Sequence, residues 1–224
     1  MVLDKDKLKS FITSLIVIIS YILWATFIQF PLSVLKVHNN VVISIYEVII
    51  NTIYLIVMYL LFYKDISSDI KKSLTNKKKT IINITLCILS LFFIMLLTNI
   101  LSFFVFKKII LPNNDISLVN GINKSTFTSL FYLLMFSPFI EELVFRLNLR
   151  KVYKNSIVFI IISSILLGLY YLIYNNLNIL FISYYLVGLF LSIMYVKTDN
   201  IIINIISRII YNLILFILVI LWCI

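Results

Sequence analysis

The string Ser137–Arg146, SPFIEELVFR, sets two adjacent carboxylates and a guanidinium inside an apolar run. On a helix Glu142 and Arg146 stand four residues apart and can pair. Glu141 lies about 100° around the axis from Glu142, and the residue four on from it is Phe145. One carboxylate is therefore neutralised locally. The other must find a cation on another helix or act on a water. A carboxylate buried without a partner can serve as a general base. The competing reading pairs Glu141 with Arg208 across a helical bundle. Pro138, three residues before Glu141, loosens the helix and leaves backbone carbonyls free nearby.

Three further apolar runs carry polar or small residues at steps of three and four: Ser164, Gly168, Tyr171 and Asn175; Tyr184, Gly188 and Ser192; Asn204, Arg208 and Asn212, with Tyr211 beside them. Such steps place each set on one helix face. Polar stripes on four consecutive helices should face one another and not lipid. Other site chemistries have little support. A catalytic zinc needs about three protein ligands, often His, and the single histidine, His38, falls in a short connection outside the stripes. No HExxH occurs and no apolar run contains Asp, so neither a zinc protease helix nor a paired-aspartate site is expected. A Ser–His dyad lacks its imidazole. No cofactor is expected.

The elements that must position these groups follow from composition. The chain has 224 residues, 62% hydrophobic and 12% charged. A soluble domain is nearer half apolar and a quarter charged, so an ordinary soluble protein is excluded. The expected fold class is all-α, a polytopic transmembrane bundle of about seven spans near 11–31, 41–63, 80–106, 126–147, 156–174, 177–196 and 200–222. The first run reads as an uncleaved signal anchor. The formal charge of +10 reads as positive-inside loops attracted to anionic lipid, and no nucleic-acid partner is expected. Lys5, Lys7 and Lys9, six lysines within 64–79, then Arg150, Lys151, Lys154 and Lys197 fall on one side, against Lys36, Lys107, Lys108 and Lys124 on the other. This asymmetry predicts a cell-membrane protein with a cytoplasmic N-terminus and an external C-terminus. The Lys-rich segment 64–79 reads as a solvated cytoplasmic loop, with an amphipathic lipid-surface helix as the alternative. Cys87 and Cys223 form no motif. Abundant Ile, Asn and Lys suggest a bacterial, AT-rich source.

Taken together, the motifs resemble the CPBP family, the CAAX-protease and bacteriocin-processing (Abi-type) intramembrane proteins. Glu141, Glu142 and Arg146 match its EExxxR signature. Ser163–Tyr171, SSILLGLYY, aligns with the second motif, and Arg208–Asn212, RIIYN, with the third. The resemblance covers about residues 126–216. It implies a CPBP-like core of four spans over 126–224, after an N-terminal region of three spans over 1–125. It also implies an endopeptidase in which Glu141, with a second-motif His, activates water. Glu142 and Arg146 would support the site, and third-motif His and Asn would stabilise the oxyanion. Here Leu167 and Tyr171 stand in place of the second motif's Phe and His, and Arg208 in place of the third motif's His, while Asn212 is retained. Arg208 could donate to an oxyanion but cannot act as a neutral acid or base. Tyr171 is a poor substitute for imidazole.

These departures favour a catalytically impaired member acting as scaffold, regulator of a cell-envelope enzyme or bacteriocin-immunity protein. An active endopeptidase cutting a membrane-anchored peptide or protein is the alternative, and a small transporter the third. A site shared by Glu141 and Tyr171 requires the fourth helix to continue past Arg150, or strong stagger between helices.

Overall fold

The computed structural model describes residues 5–28, 30–36, 39–107, 126–174 and 180–223. His38, Asn175, Lys108 and Lys124 lie outside the described residues. The elements are α1 (Lys5–Phe27), the short α2 (Phe30–Val34), α3 (Asn40–Thr75), α4 (Lys77–Phe106), α5 (126–152), α6 (Ser156–Tyr174), α7 (Leu180–Thr198) and α8 (Ile201–Cys223). Among the described residues there is no strand, and the seven long helices coincide with the seven apolar runs, so the all-α bundle holds. Among the described residues five stretches are long and apolar enough to cross a membrane: Leu8–Val34, Asn40–Thr75, Lys77–Phe104, Phe181–Thr198 and Ile201–Leu218. The apolar helix Ser156–Leu172 is shorter. Large apolar side chains such as Leu60 on α3 and Phe93 on α4 face outward. This is the pattern expected where lipid, not water, is the surrounding solvent.

The bundle has one continuous main core. Tyr21 of α1 and Tyr54, Met58 and Phe62 of α3 bury against Phe136 and Phe145 of α5 and Tyr170 and Tyr171 of α6. Packing therefore runs across the expected division at residue 125. On the other flank α4 packs on α7 and α8 through Cys87, Leu91, Leu191 and Met194. Among the described residues the helices α6 and α7 make the most extensive helix–helix pairing. Gly188 permits it, because a Cβ there would stand 3.1 Å from the Ser164 Cα and 3.3 Å from Leu167 Cδ2. Small residues allow backbones this near to one another where helices associate in lipid.

The segment 64–79 differs from the loop expected of it. It is helical except at Asn76, where α3 ends and α4 begins. Hydropathy falls at Lys64, but the inward face does not stop there. Met58, Phe62, Ile66 and Asp69 are all buried at helical steps, so packing carries the helix about three turns further. Asp69 gives the reason. Its Oδ2 accepts from the Ile201 backbone N–H at 2.9 Å, which caps α8 from another helix. Asn200 Nδ2 donates to the Asp69 carbonyl and to Ser73 Oγ, at 3.1 and 2.8 Å. Lys72 bridges Asp69 and Asp199 at 3.1 and 3.0 Å, where Asp199 turns the chain through a φ of 46°. At the same end Lys151 pairs with Asp65 at 2.7 Å.

Candidate functional site

The site is built on α5, whose irregularity starts with Pro138. A π-helical turn, Tyr132–Phe136, precedes the α-helical Ser137–Glu142, and a second π-helical stretch, Leu143–Asn148, follows it. Proline has no N–H to donate, and π-turns are common where helices serve function. The Ser137 N–H reaches back five residues to the Tyr132 carbonyl. In that register the next N–H would belong to residue 138 and would meet the Leu133 carbonyl. Pro138 leaves that carbonyl without its donor, and Asn212 Nδ2 on α8 supplies one at 2.9 Å. The second π-stretch is served likewise: Ser163 Oγ on α6 donates to the Phe145 carbonyl at 2.6 Å.

Between these two turns the carboxylates meet the arginines. Glu141 Oε1 accepts from Ser137 Oγ at 2.6 Å and from the Tyr171 hydroxyl at 2.8 Å. Glu141 Oε2 accepts from Arg208 Nη2 at 2.7 Å. Glu142 Oε1 lies 3.2 Å from both Arg208 Nη1 and Arg146 Nη1. Glu142 Oε2 accepts from Asn204 Nδ2 at 3.0 Å, and the same amide also donates to the Leu191 carbonyl at 2.8 Å. Arg146 Nη2 donates to the Gly188 carbonyl at 3.4 Å. Its Nη1 and Nε make no directional hydrogen bond, so its hold on Glu142 is mainly electrostatic. Two carboxylates and two guanidinium groups thus form a neutral quartet across α5 and α8.

The quartet is closed to water. Glu142 and Arg146 are 0% exposed, Glu141 1%, Tyr171 7% and Arg208 8%. The Tyr171 ring stacks on Tyr184 of α7, with centroids 3.6 Å apart and planes 2° apart. This face of the site is therefore covered by aromatic surface. Paired charges tolerate such burial because each has an opposite charge and hydrogen bonds.

Glu141, Glu142, Arg146, Tyr171 and Arg208 are brought together as their spacing on separate helices suggested. The condition set by depth is met, since α5 continues to Val152, two residues past Arg150. The free-carboxylate reading of Glu141 gives way to the cross-bundle ion pair. Asn212, the expected oxyanion donor, stands one helical turn beyond Arg208, and its amide donates to the Leu133 carbonyl. Ser137 and Asn204 complete the site and were not among the expected site residues. The signal for Ser137 was its place four residues before Glu141. For Asn204 it was its place four before Arg208. Ser163 and Ser192, with Oγ atoms 2.9 Å apart, brace α5 against α6 and α7. Among the described residues no group of three or more His, Cys, Asp or Glu side chains is placed to hold a metal.

Residues 123–214 match the family described as type II CAAX prenyl endopeptidase Rce1-like. That segment contains every residue of the quartet and both of the other motifs. No curated protein and no solved structure matches the chain.

Proposed function

We propose that this membrane protein, of the CAAX protease family by its match over residues 123–214, is a catalytically impaired member that works by binding. It would act as a scaffold or regulator of a cell-envelope enzyme, or as a bacteriocin-immunity protein. The supporting observation is the state of Glu141. Both of its oxygens are engaged, one by Ser137 and Tyr171 and the other by Arg208. A general base needs a free lone pair directed at a water that faces the substrate. Here the two groups at the motif histidine positions both hold the carboxylate in place. Arg208 cannot accept a proton, and the Tyr171 proton is directed at Glu141. The quartet then serves as a strut that fixes α5, α6 and α8 relative to one another. The lysine asymmetry supports insertion in the cell membrane with the N-terminus cytoplasmic and the C-terminus outside.

The test is peptide cleavage by the purified full chain in detergent, offered prenylated CAAX-type and leader-type peptides. The expected result is no cleavage above a protein-free blank, and no difference between the unmutated chain and Glu141→Gln. Cleavage that Glu141→Gln abolishes would overturn the proposal in favour of an active endopeptidase using Glu141 to activate water. The paired substitution Tyr171→His with Arg208→His probes whether the geometry still permits the family's chemistry.

A further inference from the structure

We infer that the end of α3 and the start of α4 form a docking surface for anionic phospholipid headgroups, independent of the quartet. Three acids described at this end of the bundle are already engaged. Asp65 pairs with Lys151, and Asp69 and Asp199 share Lys72. Lys64, Lys71, Lys77, Lys78 and Lys79 are exposed and form no ion pair among the described residues. The surface therefore presents five unneutralised cations around the corner at Asn76.

Its apolar part is aligned with them. Tyr63, Ile70 and Leu74 follow one another at steps of seven and four, which keeps them on one helix face. They are 51%, 40% and 60% exposed. Lys64 and Lys71, seven apart, flank that stripe about 100° around the helix. Ile66 and Asp69 are buried and lie about 60° and 120° around the helix from the stripe, on the side away from the lysines. The stripe therefore runs between the buried face and the lysine row, and the roll of the helix is fixed by the cap on α8. α3 runs unbroken from Asn40 to Thr75, so its last turns carry the stripe and the lysines out through the headgroup layer, where lysine stems lie along apolar surface and their ammonium groups meet anionic headgroups. A lysine near an anionic leaflet contributes about 1 kcal/mol, equivalent to about a fivefold preference over a zwitterionic one.

The test uses the full chain with Leu74→Trp in liposomes that contain brominated phosphatidylglycerol or brominated phosphatidylcholine. Quenching is read as the difference from the chain without that substitution, which subtracts Trp24 and Trp222. The expected outcome is about fivefold enrichment of phosphatidylglycerol at position 74. That enrichment should weaken at high salt and disappear when Lys71, Lys77, Lys78 and Lys79 are all changed to Gln. These lysines are exposed, so the helical circular dichroism signal should be retained. Equal quenching by the two lipids would overturn the inference. So would a preference that survives the four substitutions. Loss of the preference on adding inorganic phosphate at constant ionic strength would assign the surface to free phosphate instead.

Discussion

Replacing Arg208 with Met removes the cation that Glu141 meets at 2.7 Å and one of the two that Glu142 meets at 3.2 Å. Glu142 keeps Arg146, but Glu141 is left with two hydroxyl donors in a site where it is 1% exposed. Removing one partner of a buried pair costs about 3–5 kcal/mol. A direct figure agrees: unit charges about 4 Å apart at an effective dielectric of about 20 attract by about 4 kcal/mol. The Arg208→Met chain should therefore lose about two to three and a half orders of magnitude in its folding constant. Glu141→Gln alone leaves an excess positive charge and should also destabilise. The double variant is neutral again, and its loss should be smaller than the sum of the two single losses by at least about 2 kcal/mol. The assay is reversible unfolding by dodecyl sulfate from mixed micelles, followed by circular dichroism, across all four chains of the cycle. Single losses that add to within about 0.5 kcal/mol would refute the shared, desolvated ion pair.

The remaining predictions concern what holds the site in place. Asn212→Ala should cost about 1 kcal/mol, the low end of the penalty for a carbonyl without a donor, because the Leu133 carbonyl is only part-buried. Adding Pro138→Ala, which restores a backbone N–H, should recover part of it. A double variant no more stable than Asn212→Ala in the same unfolding assay would sink the assignment of Asn212 to the carbonyl that Pro138 leaves free. Gly188→Val should force α6 and α7 apart, because even a Cβ would meet the Ser164 Cα at 3.1 Å. A loss of about 1–3 kcal/mol is expected, and unchanged stability would argue against the close crossing. Asp69→Ala removes the cap on α8 and should cost about 1 kcal/mol, with faster amide hydrogen exchange at Ile201 as its local signature. Unchanged exchange there would contradict the cap.

Much of this site follows from spacing. The four-residue step from Glu142 to Arg146 and the single-face series Asn204, Arg208 and Asn212 become real contacts because helix geometry is local and fixed. Glu141 could be limited to two outcomes, a free base or a partner of Arg208. Choosing between them required tertiary geometry, since no sequence rule sets the relative height of α5 and α8. The bond from Asn212 to the Leu133 carbonyl was not legible, because the π-turn leaves no mark in the sequence. Pro138 announced a disturbed helix, but the register of that disturbance decides which carbonyl is left bare. The Lys-rich segment was misjudged for a different reason. Hydropathy registers solvent preference, whereas α3 continues on the strength of the buried Ile66 and of Asp69, whose partners lie about 130 residues away in the chain.

The neutrality of the quartet bears on a force that acts on every protein in an energised bilayer. The transmembrane potential does work on net charge, about 2.3 kcal/mol per elementary charge moved through 100 mV. Two carboxylates and two guanidinium groups held together present no net charge to that field, so the potential gives the helices that carry them no reason to shift along it. Removing any one of the four creates a charge that the field can pull. Such a variant should be destabilised unequally by potentials of opposite sign, while the intact chain should not respond.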